Sequence, residues 1–133
     1  MYLLDTMVVS ERRRSSPDAG VASWLRSVPV DTLFISAITF GEIAVGIEKA
    51  RTEPMFQARL IEWLDRTRQL YGARIVAVDA GIAIIWGELY SRLGRRDVDL
   101  LIAATALNRS LIVVTRNVRH FEPTGVRLLN PYS

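Results

Sequence analysis

Short apolar runs alternate with longer stretches of helical periodicity along most of the chain, and this alternation calls for a parallel α/β sheet. Strand-like runs fall at residues 2–4, 32–36, 74–78, 111–114 and 126–129. Between them, apolar residues recur at helical spacing over 19–28, 38–50, 54–70, 80–93 and 98–108. Pro17-Asp18, Pro54 and Asp79 are helix-start signals, whereas Gly72 and Gly94 are stops. The first ten residues carry Asp5 and no basic leader, so they read as the first strand rather than a signal peptide. At 133 residues, the chain is expected to form one domain, residues 1–133.

In a sheet of this kind, strand ends and helix starts share one rim, where ligands bind. Asp5 follows the first strand, and Thr115-Arg116-Asn117 follows the fourth. Glu42 and Asp99 sit near the starts of two helical stretches. Three carboxylates gathered on one rim repel one another unless a cation lies between them. Oxygen-only ligands suit Mg²⁺ or Mn²⁺, which makes a metal-dependent phosphodiesterase the first functional hypothesis.

Each position also has a plainer reading. Asp5 and Asn117 fit turn positions, where a short polar side chain bonds nearby backbone. Thr39-x-x-Glu42 has the spacing of a capping box. Asp97 fits the N-cap of the 98–108 helix, which leaves Asp99 in a first turn where the helix dipole favours negative charge. Thr115 is placed to orient a carboxylate or a water. His120 is the only histidine, and a lone histidine is more often a surface or packing residue than a ligand.

Composition narrows the choice. With no cysteine, thiolate metal sites, disulfides and cysteine nucleophiles are excluded. The longest stretch without a charge is residues 32–41, far short of the ~18 residues that span a bilayer. A cytoplasmic protein without a membrane partner is expected. The formal charge is +3, and Lys49 is the only lysine among 17 basic residues. Arginine grips phosphate in a fixed fork, so the bias fits a nucleic-acid partner, although a genome rich in arginine codons gives the same bias. Neither G-x-x-x-x-G-K-[ST] nor G-x-G-x-x-G occurs, so the ordinary phosphate-binding loops are absent.

Four blocks carry a family resemblance: Tyr2-Leu3-Leu4-Asp5-Thr6, Ile38-Thr39-Phe40-Gly41-Glu42-Ile43-Ala44-Val45-Gly46-Ile47, Asp99-Leu100-Leu101-Ile102-Ala103-Ala104-Thr105-Ala106-Leu107, and Val114-Thr115-Arg116-Asn117-Val118-Arg119-His120-Phe121. Together, and in this order, they resemble the PIN-domain family, in particular the VapC- and FitB-like toxins of bacterial toxin–antitoxin pairs. The resemblance implies a three-layer α/β/α domain with a central, mainly parallel sheet. It implies a Mg²⁺- or Mn²⁺-dependent endoribonuclease, a homodimer, and inhibition by a cognate antitoxin. Asp5, Glu42 and Asp99 match the family's three acids and are the expected catalytic and metal-holding residues, Glu42 directly or through water. Asn117 stands where members carry an acid or an asparagine. Thr6 and Thr115 are expected to support the acids, and Arg12, Arg95, Arg96, Arg116 and Arg119 to contact RNA phosphates.

The family usually has asparagine two places after its first aspartate, where this chain has Met7. That departure leaves a non-catalytic PIN module, binding RNA or protein, as the alternative. A receiver domain is opposed by Met7 and by the absence of any lysine beyond Lys49. Phe56, Trp63, Ile82, Ile85, Trp86 and Leu89 are expected to leave apolar surface for a partner.

Overall fold

The central strand is very short, yet it decides the layering. In the computed structural model, which describes residues 1–133, β1 (Tyr2–Leu4) sends Leu3 into one core and Leu4 into another, as the two-residue period of a strand requires. β2 (Leu33–Ser36) and β4 (Ile112–Val114) flank β1, while β3 (Ile75–Val76) and β5 (Leu128–Leu129) form the edges. The order is β3-β2-β1-β4-β5, and every pairing is parallel.

Helices cover both faces, giving the three layers expected. Leu4, Leu33, Ile35 and Val114 pack against α1 (Thr6–Glu11), α2 (Ala19–Ser27), α3 (Ala37–Lys49) and α4 (Pro54–Tyr71). Leu3, Phe34 and Val113 pack against α5 (Ala80–Leu93), α6 (Val98–Arg109) and α7 (Val118–Phe121). The start and stop signals act as read. Asp79 Oδ1 accepts from Ile82 N–H at 3.0 Å, and Gly72 and Gly94 end their helices at φ +46° and +68°. No helix is long and apolar enough to cross a membrane.

Two local expectations are corrected. β1 ends at Leu4, where the strand-like run ends, but the rest of the first ten residues, read with the strand, turns into a helix. Asp5 is extended, its Oδ1 accepts from Thr6 N–H at 2.8 Å, and α1 begins. Met7–Val9 is an apolar run that fits strand or helix equally, and the cap decides it. The second correction concerns α3, which starts at Ala37 because Ser36 Oγ accepts from Ile38 N–H at 3.2 Å. No capping box forms between Thr39 and Glu42. Thr39 is fully buried, and Glu42 accepts instead from the Thr6 hydroxyl of another helix.

This reassignment is testable by mutation. Ser36→Ala should cost about 1 kcal/mol of stability, the ordinary worth of a lost N-cap. Glu42→Gln should leave stability unchanged or raised, because Glu42 caps nothing and lies among like charges. Urea denaturation of both variants at neutral pH checks the pair.

Candidate active site

From β1 the chain crosses to β2 on one side, whereas β4 leads to β5 on the other. Strand order therefore reverses between β1 and β4, and the crevice at their C-terminal ends is the place where α/β sheets bind ligands. Leu4 is in register with Val114, so the next residues, Asp5 and Thr115, meet. Asp5 N–H donates to Val114 O at 3.0 Å. The Thr115 hydroxyl donates to Asp5 Oδ2 at 2.8 Å, and Thr6 N–H donates to Oδ1. Asp5 is only 4% exposed. Burial pushes its carboxyl pKa up, and the two donors oppose that shift.

The other acids arrive on helices. Glu42, in the second turn of α3, is held by Thr6 Oγ1, which also lies 3.2 Å from Thr39 Oγ1. Asp99, in the first turn of α6, is half-buried. Its carboxyl is pushed up to about 6, first by burial and then by the charge of Asp5, with Asp97 and Glu42 adding to the effect and His120 opposing it. These couplings bring Asp5, Glu42 and Asp99 into one electrostatic group. None of the three is paired with an arginine or lysine.

Asp97 occupies the N-cap position of α6 but makes no side-chain cap. Arg95 grips it as a fork, Nε to Oδ2 at 2.7 Å and Nη2 to Oδ1 at 3.0 Å, and that bond holds its carboxyl down at about 2. His120 Nε2 lies 3.3 Å from Asp99 Oδ2 and 3.4 Å from Asp97 Oδ1. Arg95 Nη2 is 2.8 Å from the same nitrogen. A neutral His120 accepts from Arg95, whereas a protonated one donates to the acids. Asp97, Asp99 and His120 offer ligand atoms all within 4.8 Å of one another, a grouping able to hold a metal ion that shares Asp99 with the electrostatic group of Asp5 and Glu42.

The remaining expected residues divide. Asn117 donates its backbone N–H to Thr115 Oγ1 at 2.9 Å, and its side-chain amide faces Met7 Sδ at 3.6 Å. Met7 lies on the exposed side of α1, and both carboxylate oxygens of Asp5 are held by other groups. Asp5 is therefore oriented without help from position 7. Arg12, Arg96, Arg116 and Arg119 are exposed cations, but Arg95 is engaged by Asp97 and by the His120 carbonyl. The roles of Asp97 and His120 were not legible in sequence. The only signal is topological: α7 follows β4 within four residues, so its side chains must lie near the same rim.

The PIN domain model matches residues 2–125. The toxin FitB of Neisseria gonorrhoeae is 31% identical, over 99% of this chain and 99% of its own. The VapC ribonuclease Y4jK of Sinorhizobium fredii is 31% identical over 99% and 98%. The crystal structure of FitAcB from Neisseria gonorrhoeae superposes with a TM-score of 0.87 at 33% identity, covering 98% of each chain.

The sign of the pH dependence follows from these carboxyls. Asp5 and Asp99 keep their protons to higher pH in the folded chain than in the unfolded one. Their ionisation therefore lowers stability as pH rises from near 3.8 through about 6. Without metal, Asp99→Asn should melt higher than wild type at neutral pH, and the gap should close toward about pH 4. Parallel melts in chelator measure the gap, and a gap that widens in acid contradicts the assignment.

Proposed function

The chain belongs to the PIN-domain family, and we propose that it is a metal-dependent endoribonuclease serving as the toxin of a toxin–antitoxin pair. The observation that carries this reading is Asp99, half-buried and crowded by Asp5, Glu42 and Asp97, its carboxyl raised to about 6 and no lysine or arginine within ion-pair distance of it. Such a cluster disfavours its own ionised form and is relieved by a cation. Relatives described as a VapC ribonuclease and as the toxin FitB support the activity.

The donor set fits a hard divalent ion, because Asp5, Glu42 and Asp99 offer only oxygen. Asp5 and Asp99 would hold Mg²⁺ or Mn²⁺ directly, Glu42 directly or through water, and Asn117 would add a neutral oxygen. Once bound, the ion would polarise a phosphoryl oxygen of RNA and make hydroxide accessible near neutral pH. The protein's own groups do the rest. Thr115 and Thr6 fix the orientation of the Asp5 carboxylate, and the Thr6 hydroxyl also fixes Glu42. A carboxylate not fully engaged by the ion accepts the proton of the attacking water. Arg12, Arg96, Arg116 and Arg119 hold the phosphate backbone without reading bases. Arg95 is withdrawn from that role and acts inside the site, keeping Asp97 ionised.

Under this reading the protein works in the cytoplasm as a homodimer, and a cognate antitoxin restrains it. Ile82 and Leu89 lie in the core, and Phe56, Trp63, Ile85 and Trp86 are half-buried. Four of the six thus keep apolar surface, and Ile84 on α5, 65% exposed, with Met55, Ile61 and Leu70 on α4, adds to what a second subunit would cover.

Asp5→Asn and Asp99→Asn should abolish cleavage of total cellular RNA and keep cooperative melts. Full activity in either variant removes that residue from the site. Mn²⁺ should raise the wild-type melting temperature, since an ion binding only the folded state adds about 2.7 kcal/mol at a hundred times its dissociation constant. Asp99→Asn should blunt the rise.

The chain should sediment as a dimer at micromolar concentration. The antitoxin should place an arginine or lysine among these acids. A contact so shielded resists salt better than a surface pair, so inhibition should persist as salt is raised. Binding that leaves cleavage untouched would show that the antitoxin acts elsewhere.

A further inference from the structure

Arg116 directly follows Thr115, the residue that fixes Asp5, so its side chain leaves the chain at the lip of the carboxylate site. It is exposed and forms no ion pair. Its guanidinium lies over the ring of Tyr132 at 5.2 Å. Tyr132 is half-buried, and the charges of Glu11 and Asp5 both reach its phenol, which places the ring beside the site and not out on the surface.

Residues 130–133 are fastened at that position. Ser133 donates from N–H to Asp18 Oδ1 at 3.1 Å and from its hydroxyl to Asp18 Oδ2 at 2.9 Å. Tyr132 N–H donates to Asn130 Oδ1 at 3.0 Å. Gly20, on the first turn of α2, lets this segment come close. A Cβ there would stand 2.4 Å from Pro131 O and 2.7 Å from Ser133 N. The segment is thus docked on α2 by Asp18 and by the missing side chain of Gly20, and Tyr132 is delivered to Arg116.

We propose that Tyr132 is a positioning residue for RNA binding: its ring holds the Arg116 guanidinium at the lip of the carboxylate site, aimed at a phosphate of single-stranded RNA. The inference rests on the ribonuclease reading above and extends it to a residue outside the metal-holding group. Arginine on an aromatic face keeps its N–H donors free at the edge of the guanidinium plane, available to a phosphate. An exposed cation–π contact of this kind changes affinity by about two- to fivefold.

The test is fluorescence anisotropy with a labelled, mixed-sequence single-stranded RNA 12-mer, in chelator so that no cleavage occurs, with salt varied from about 50 to 200 mM. Each phosphate contact to a single strand contributes about 0.7 to the slope of log affinity against log salt. Arg116→Ala should lose about that slope. Tyr132→Ala should weaken binding in the same direction, and Tyr132→Phe should restore it, because the ring and not the hydroxyl does the holding. In the Arg116→Ala background, Tyr132→Ala should have no further effect.

Gly20→Ala supplies a lever that touches neither side chain. It should undock residues 130–133, leave the core folded, and reproduce the Tyr132→Ala loss. A folded Tyr132→Ala with wild-type affinity beside a weakened Arg116→Ala overturns the positioning role alone. So do Tyr132→Ala and Arg116→Ala effects that multiply. A wild-type protein that binds no RNA in chelator overturns this proposal, and the ribonuclease reading falls with it only where no RNA is cleaved with Mn²⁺ either.

Discussion

The pairing of β1 with β4 and the hydrogen bond that continues it, from the Thr115 hydroxyl to Asp5 Oδ2, are the constraint on which the rest depends. A carboxylate buried without partners is costly enough to protonate or to unfold its surroundings. Here one donor comes from the strand alongside and another from the helix that Asp5 itself caps. A single aspartate thereby ends β1, starts α1 and presents its charge to the crevice. Because the register Leu4↔Val114 is in the middle of the sheet, with both faces packed, a slip of one residue would exchange the two cores as well as break the site.

Around this fixed point, the acids are treated in two different ways. Asp97 receives a bidentate arginine and stays ionised down to about pH 2. Asp99, two residues later on the same helix, receives none and is raised to about 6. The contrast follows from where α6 begins. Asp97 lies at the outer edge within reach of Arg95, while Asp99 turns inward toward Asp5 and Glu42. The protein neutralises the charge it can reach from the surface and leaves the inner group short of positive charge. Such a group would bind a cation in proportion to the repulsion that it relieves, so the mutual repulsion of these acids and an affinity for metal would have one origin.

Sequence reading reached the parallel sheet, the strand positions and most helix ends, because each of these is written locally in periodicity, prolines, glycines and caps. It misplaced the Asp5–Glu11 segment because an apolar run as short as Met7–Val9 has no period to measure. It offered a capping box at Thr39 and Glu42 because the spacing is right, and only the earlier cap at Ser36 shows that the pattern is not used. Asp5, Glu42 and Asp99 were legible as a group through strand ends and helix starts. Arg95 and His120 were not, since their roles depend on a contact between two connections 25 residues apart. Tyr132 was invisible for the same reason: its meaning lies in the close approach at Gly20, which no local pattern records.

A net charge of +3 is a weak argument for binding a polyanion when the pocket itself is acidic. The field that a phosphate meets at the site is local. At physiological ionic strength exposed charges are largely screened beyond about 8 Å, so arginines on remote faces, such as Arg26 on α2 or Arg109 at the end of α6, do little to offset the carboxylates. Only cations at the lip can do so, and there the fold has already committed Arg95 to Asp97. The positive charge that an incoming phosphate would first meet there comes from exposed, unpaired side chains: Arg116 on the connection after β4, Arg119 on α7, and Arg96 beside the committed Arg95. A free arginine loses much rotamer entropy on binding, so one that is already laid on an aromatic ring beside the site needs less ordering than one projecting into solvent. Position and pre-organisation of a few arginines, more than the sum of all sixteen, would let so acidic a pocket receive an anionic substrate under the proposed function.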